Sequence, residues 1–174
     1  MQERGVISAE ASRTFREQGW FVKVTRDAVR CPRCGTMIYP DAASGCFDIR
    51  LGVPVWDSRD IAWYAVEVKY AKTAYPFSNF DEKKRAWAVE HDGDYAMWLW
   101  LGMGEAINNK RYPRVTYLFP LELFYQLERT LDRKSIPYGC PELDRYKLTW
   151  LGRGRWELHQ DFLANSVFAK TVSS

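Results

Sequence analysis

The segment AVEVKYAK, residues 65–72, most limits how this chain can fold, because it places charged side chains inside an otherwise apolar strand. Side chains alternate between the two faces of a β-strand, so Glu67 and Lys69 project from the same face. An unpaired carboxylate or ammonium group is costly to bury. The pair must therefore be mutually compensated, lie at an exposed sheet edge, or bind another group.

The pattern around this segment predicts an α/β fold. Helical periodicity and cap residues indicate helices at 7–18, 78–90 and 120–133, with Ser78 and Asp81 as a capping box. Apolar, β-branched and aromatic runs indicate strands at 20–25, 47–55, 61–70, 95–101, 114–119, 146–151 and 155–158. The second and third strands are joined by WDSRD and are expected to form a hairpin. This order predicts a mixed central sheet with helices on its faces.

Size and composition predict one domain spanning residues 1–174. A chain of 174 residues with 47% hydrophobic residues can bury a substantial core. The net charge of +3 does not demonstrate a polyanionic partner, but it is compatible with a local basic face. No apolar run has the length of a membrane span or a signal peptide, so we expect a cytoplasmic protein, in a host cytoplasm if a phage encodes it, with no membrane partner.

Asp48 adds a second carboxylate near the Glu67–Lys69 pair. It is the only acid in its strand, and the far ends of the predicted hairpin bring it close to Glu67 and Lys69. Two carboxylates suit Mg²⁺, which takes oxygen ligands and keeps waters for substrate phosphates; Mn²⁺ accepts similar ligands. A neighbouring lysine can orient a water nucleophile and offset developing negative charge. The alternative is an ion pair on an edge strand.

Asp48 followed by Glu67-Val68-Lys69 resembles the D…(D/E)xK signature of the PD-(D/E)XK nuclease superfamily. The context is similar too: a strand bearing the Asp, a hairpin, an apolar strand ending in ExK, and then a helix. Upstream, EASRTFREQGWFVKV resembles the Holliday junction resolvase branch, in which a helical Glu precedes a Gly-aromatic strand start. The resemblance covers roughly residues 7–100 and implies a restriction-endonuclease-like mixed sheet flanked by helices.

The resemblance also implies a site and an activity. Glu10 would be a third acidic residue beside Asp48 and Glu67, with Glu17 as the alternative. Lys84, on the helix after the ExK strand, would point to the site, or else belong to an ordinary basic helix surface. The implied activity is that of a metal-dependent endodeoxyribonuclease acting on four-way DNA junctions as a homodimer, in DNA recombination or repair. A duplex nuclease of restriction or repair type, and an inert nucleic-acid-binding module, are the alternatives.

The sequence CPRCG at residues 31–35 is typical of one half of a zinc ribbon. A full structural Zn²⁺ site in a knuckle loop at 31–46 would need four ligands, and the chain has four cysteines: Cys31, Cys34, Cys46 and Cys140. Asp41, His91 or His159 are possible substitutes. Such a zinc would brace the loop before Asp48 and would be distinct from the catalytic metal. The alternative is reduced thiols without metal, since disulfides are disfavoured in the cytoplasm.

The chain is rich in aromatic residues, with eight Trp and ten Tyr. Most are expected in the core, because aromatic side chains dominate the buried area of small domains. Stacking on unpaired bases is conceivable for Trp56, Trp63 or Tyr75, and the sequence does not distinguish among them.

Overall fold

The computed structural model describes residues 2–41, 44–55, 58–90, 95–102 and 114–164. Its helices are α1 (Gln2–Glu17), α2 (Glu82–Glu90), α3 (Leu121–Thr130) and α4 (Gln160–Ala164). Its strands are β1 (Phe21–Val24), β2 (Val29–Arg30), β3 (Met37–Ile38), β4 (Ile49–Pro54), β5 (Ile61–Ala71), β6 (Ala74–Pro76), β7 (Tyr95–Leu101), β8 (Val115–Pro120), β9 (Ser135–Pro137), β10 (Thr149–Gly152) and β11 (Arg155–Glu157). None of the helices in these ranges combines the length and apolar character needed to cross a membrane.

A five-stranded mixed sheet in the order β1-β4-β5-β7-β8 forms the centre of the molecule. Strands β1, β4 and β5 are antiparallel neighbours, β5 and β7 run parallel, and β8 is antiparallel to β7. Parallel neighbours need a crossover connection, and here it contains α2. The prediction of an α/β fold with helices flanking a mixed sheet is therefore confirmed.

The predicted hairpin is present as β4 and β5. Its register pairs Ile49 with Val66 and Pro54 with Ile61. Of the predicted turn WDSRD, residues 56–57 lie outside the described residues. The hairpin sets which side chains share a face, because directly opposed residues in antiparallel strands project to the same side of the sheet.

The start of α2 differs from the predicted capping box at Ser78. Ser78 lies in a 3-10 turn, Phe77–Asn79, and the helix begins at Glu82. Asp81 Oδ1 instead accepts a hydrogen bond of 2.9 Å from the Lys83 N–H, so Asp81 satisfies one of the free backbone donors of the first turn.

Two cores lie on opposite faces of the sheet. On the first, which we call the α2 face, Ala65 and Met97 pack with Ala88 of α2 and Phe124 of α3. On the second, the α1 face, side chains of the same strands pack against apolar residues of α1 and against the β10–β11 hairpin. The strands contribute Val66, Val68 and Trp98, the helix contributes Ile7, Ala11 and Phe15, and the hairpin contributes Trp156. Neighbouring residues of β5 therefore belong to different cores, as strand alternation requires.

Candidate metal and catalytic site

The β4–β5 hairpin holds Asp48 beside Glu67. The Asp48 N–H donates to the Val66 carbonyl oxygen at 3.1 Å, which extends the strand pairing by one residue. The Asp48 Oδ2 in turn accepts a hydrogen bond of 2.7 Å from the Val68 N–H. On the other side, the Thr25 N–H donates to the Asp48 carbonyl at 2.7 Å. Asp48 is thus fixed through both its backbone and its side chain.

Glu67 is fully buried on the α2 face, with a relative exposure of 0%. Lys69 Nζ lies 2.9 Å from Glu67 Oε1, and Lys84 Nζ contacts the same oxygen. The second oxygen, Oε2, lies 3.3 Å from the hydroxyl of Tyr95, which also donates to the Cys46 carbonyl at 2.7 Å. The carboxylate is therefore held by two cations and a phenol.

Opposing electrostatic effects act on the pKa of the Glu67 carboxyl group. Burial raises the pKa of Glu67 above its ordinary value, and the neighbouring negative charge of Asp48 raises it further. Lys69 and Lys84 act in the opposite direction by stabilising the charged form. The pKa of Tyr95 is also raised, by burial and then by Glu67, so Tyr95 stays protonated and can donate.

These residues fit a hard divalent cation. Asp48 and Glu67 offer carboxylate oxygens on adjacent strands, and the Val68 carbonyl lies between Glu67 and Lys69 on β5. Mg²⁺ is commonly held by one or two carboxylates together with waters. Across the described ranges, no group of three or more His, Cys, Asp or Glu side chains forms a metal cage, so a cation here would depend on this pair.

Four of the predicted site residues are brought together: Asp48, Glu67, Lys69 and Lys84. For Lys84 the sequence left two interpretations open, and its direct contact with Glu67 favours the site over a solvated helix surface. Tyr95 was not predicted as part of the site. Only the parallel register of β5 and β7, which pairs Ala65 with Tyr95, places its ring beside Glu67.

Glu10, in contrast, is placed elsewhere. Its helix packs on the α1 face, and its carboxylate accepts hydrogen bonds from Trp156 Nε1 at 3.1 Å and Arg114 Nη1 at 3.3 Å. The alternative, Glu17, accepts a hydrogen bond of 2.9 Å from Arg155 Nε. The structure therefore brings neither helical acid to Asp48 and Glu67, and we leave Glu10 out of the site.

The CPRCG segment forms a tight turn between β2 and β3. The Gly35 N–H donates to the Cys31 carbonyl at 2.9 Å, and Gly35 adopts a positive φ of 72°, which glycine tolerates without strain. The Cys34 Sγ lies 3.3 Å from Thr36 Oγ1, and hydrogen bonding from Thr36 to the thiolate form lowers the pKa of Cys34. Both thiols are free, and the turn presents them close together near the surface.

The other predicted zinc ligands have different surroundings. Cys140 is buried in the core, where burial and the contact with Glu142 raise its pKa to about 11. Cys46 packs against the same core. Asp41 is paired with Arg26, which lowers the pKa of Asp41 to about 2, and His159 Nε2 lies 2.6 Å from the Leu118 carbonyl. His91 lies outside the described residues. A structural zinc thus stays a prediction.

The chain matches no protein-family model and no curated protein. Its function is therefore inferred from the contacts of the residues gathered around Glu67.

Proposed function

We propose that this protein is a metal-dependent endodeoxyribonuclease that hydrolyses phosphodiester bonds, with a restriction-endonuclease-like core of the PD-(D/E)XK type. The observation that carries the proposal is the convergence of Asp48 and Glu67 on adjacent strands, with the ammonium groups of Lys69 and Lys84 on Glu67. The order of α1, the three antiparallel strands, α2 and the parallel strand β7 supports the same assignment.

Each acidic residue has a distinct environment that suits this role. Asp48 and Glu67 would hold Mg²⁺ or Mn²⁺, together with the Val68 carbonyl. When bound, the ion would polarise the scissile phosphate and lower the pKa of a coordinated water. The Val68 N–H fixes the direction of the Asp48 carboxylate, and the Tyr95 hydroxyl lies 3.3 Å from one oxygen of Glu67.

The two lysines have different proposed roles, because their side chains differ in solvent exposure. The Lys69 side chain is 19% exposed and the Lys84 side chain 10%, so Lys69 is the more accessible to substrate. Lys69 positions the attacking water and stabilises the negative charge that develops on the phosphorus oxygens. Lys84 acts as a positioning residue, because it is the less exposed of the two lysines and balances the buried charge of Glu67.

The substrate we propose is DNA, held mainly through its phosphates and hence with strong salt dependence. The resolvase resemblance makes a four-way junction the first structure to test, and the two symmetric cuts of a junction would call for a homodimer. The position of Glu10 removes one residue on which that resemblance depends. A linear duplex therefore stands as the second substrate.

The proposal is tested by cleavage of a synthetic four-way junction, a flap and a blunt duplex with Mg²⁺. We expect Glu67→Gln and Lys69→Ala to lower the initial rate by about 10²- to 10³-fold, the size of loss seen when a charge-stabilising group is removed. Glu157→Gln and Lys147→Ala alter exposed residues outside the cluster and serve as matched controls with parental rates.

The outcomes separate the alternatives. Preferred cutting of the junction supports a resolvase, whose dimeric state sedimentation would measure, and preferred cutting of the duplex supports a restriction- or repair-type enzyme. Binding of DNA without cleavage of any substrate would indicate an inert binding module. Equal rates for the parent and Glu67→Gln would remove the catalytic assignment.

Glu10→Gln gives a further test in the same assay. Because Glu10 lies on the α1 face with Arg114 and Trp156, we expect the rate per folded molecule to stay close to the parental rate. A loss as large as that of Glu67→Gln, with the fold intact by circular dichroism, would place Glu10 back among the catalytic acids.

A further inference from the structure

Part of the α2 face is not covered by α2 or α3 and leads directly to the proposed site. The registers of β1, β4 and β5 set side chains of the three strands in rows across this face. One row contains Phe21, Gly52 and Trp63, and the next contains Lys23, Arg50 and Ala65. Asp48 and Glu67 follow on the next row. We call Phe21, Lys23, Arg50 and Trp63 the open strip.

The open strip exposes large aromatic surface. Phe21 is 57% exposed and Trp63 is 42% exposed, whereas Met97 and Phe119, on the same face under the helices, are fully buried. Of the other two aromatic residues considered for base stacking, Tyr75 is buried in the core and Trp56 lies outside the described residues. Trp63 is thus the one of the three that the structure shows at the surface.

The indole of Trp63 packs against the backbone of Gly52, which has no side chain to block this approach. A Cβ atom at Gly52 would lie 2.8 Å from Cζ3 and 3.0 Å from Cη2 of the Trp63 ring, so the ring lies across the backbone at Gly52. The Arg50 guanidinium lies 4.9 Å from the ring centroid on the same strand pair. Ring and guanidinium together form a stacking platform, since bases stack on both groups.

The positive charge of the open strip is complementary to the negative charge of a nucleic acid backbone. Arg50 and Lys23 stand next to each other on one row, and Lys23 also lies close enough to Asp41 to influence it electrostatically. Both cations are exposed. A symmetric contact of this strip with a second copy of the chain would set these like charges against each other, which disfavours association.

The strip also has the right place relative to the site. Trp63 and Glu67 project from the same face of one strand, roughly 13 Å apart at about 3.3 Å per residue. The cations lie on the row between them. A nucleic acid strand that passes over the platform would therefore run past Arg50 to Asp48 and Glu67.

We infer that the open strip binds an unpaired stretch of DNA next to the cleavage site, with a base stacked on Trp63 and phosphates on Arg50 and Lys23. This inference rests on the proposed function and narrows its substrate to DNA with single-stranded character beside the cut, such as a flap, fork or opened junction. Unpaired bases are required because stacking in a duplex hides the base faces that Trp63 would contact.

The test is DNA binding by fluorescence anisotropy in EDTA, where metal-dependent cleavage does not proceed. The probes are a fork with an unpaired arm and a blunt duplex of the same paired sequence. We expect Trp63→Ala to weaken binding of the fork about ten-fold and leave the duplex unchanged, the loss that follows from removing one base–aromatic stack. Trp63→Phe should restore most of the affinity.

Two further variants separate stacking from general surface effects. Gly52→Ala removes no contacting side chain but displaces the Trp63 ring, so it should weaken fork binding as well. Leu151→Ala and Arg129→Ala change exposed residues away from the strip and should bind like the parent. Melting by circular dichroism checks that each variant is folded.

Several results would overturn the inference: no binding of the fork by the parent, an unchanged affinity in Trp63→Ala, an equal loss on fork and duplex, or a dimer that Trp63→Ala dissociates. The proposed function fails separately. A parent that never cleaves with Mg²⁺ but binds the fork through Trp63 removes the nuclease and keeps the strip. Cleavage of the fork with Mg²⁺, together with fork binding that does not depend on Trp63, keeps the nuclease and removes the strip.

Discussion

Two buried glutamates lie on opposite faces of the same sheet and have different partners. Glu10 is 6% exposed and accepts hydrogen bonds from Arg114 and Trp156. Glu67 is 0% exposed and contacts two lysines and a tyrosine, and the negative charge of Asp48 also raises its pKa. Burial alone therefore does not separate an acid paired with an arginine from the acid of the proposed site.

The partners make the distinction. Arg114, the cation on Glu10, lies 5.7 Å from the centroid of the Trp100 ring and 4.6 Å from that of Trp150, so it is packed as well as paired. This arrangement ties α1 to the start of β8 and to the β10–β11 hairpin. At Glu67, a second carboxylate stands beside the first, an arrangement that weakens stability and suits a cation.

The largest effect expected from this comparison is on stability. Glu10→Ala should lower the free energy of unfolding by about 3 kcal/mol, because it leaves Arg114 buried without its carboxylate. Glu17→Ala, which breaks the partly exposed pair with Arg155 on the same helix, should cost less than about 1 kcal/mol. Urea unfolding measures both. Equal losses would mean that the Glu10 pair is no more structural than a surface pair.

An intermediate effect is expected from the metal. At about ten times its dissociation constant, Mg²⁺ should stabilise the parent by about 1.4 kcal/mol, because the proposed site exists only in the folded state. Asp48→Asn should lose this gain, whereas Glu10→Gln should keep it. Thermal melts with and without Mg²⁺ give the comparison, and an undiminished gain in Asp48→Asn would argue against Asp48 as a ligand.

The smallest expected effect is a difference in pH dependence, because it is confined to the interval between two pKa values. The folded pKa of Glu67 is raised above its ordinary value of 4.5, so the folded state binds this proton more tightly than the unfolded state. Stability is therefore lost as the pH rises from about 4.5 through the folded pKa. Glu67→Gln lacks this loss.

Urea unfolding at several pH values checks the sign. The free energy of unfolding of the parent, minus that of Glu67→Gln, should fall as the pH rises above about 4.5. Parallel curves for the two proteins would mean that Glu67 titrates alike in the folded and unfolded states.

The pairing of Asp48 with Glu67 could be predicted from the sequence. Strand alternation places Glu67 and Lys69 on one face, and an antiparallel hairpin brings its far ends together, so two local rules are enough. The limits of the elements were less predictable. Asp81 and Ser78 are both residue types that cap helices. Which of them caps α2 depended on which side chain reached the backbone N–H groups of the first turn.

The roles of Glu10, Lys84 and Trp63 depended on contacts between distant segments. Helical periodicity shows which residues of α1 share a side, but not that Arg114 and Trp156 would reach Glu10 from far along the chain. The Trp63 platform likewise required the register that sets Gly52 beneath the ring. Alternation and turn chemistry are properties of neighbouring residues, so a sequence reveals them directly. The partners of a side chain across the sheet follow from the packing of the whole chain, and that packing decided which buried glutamate lies beside a second carboxylate and which is paired with an arginine.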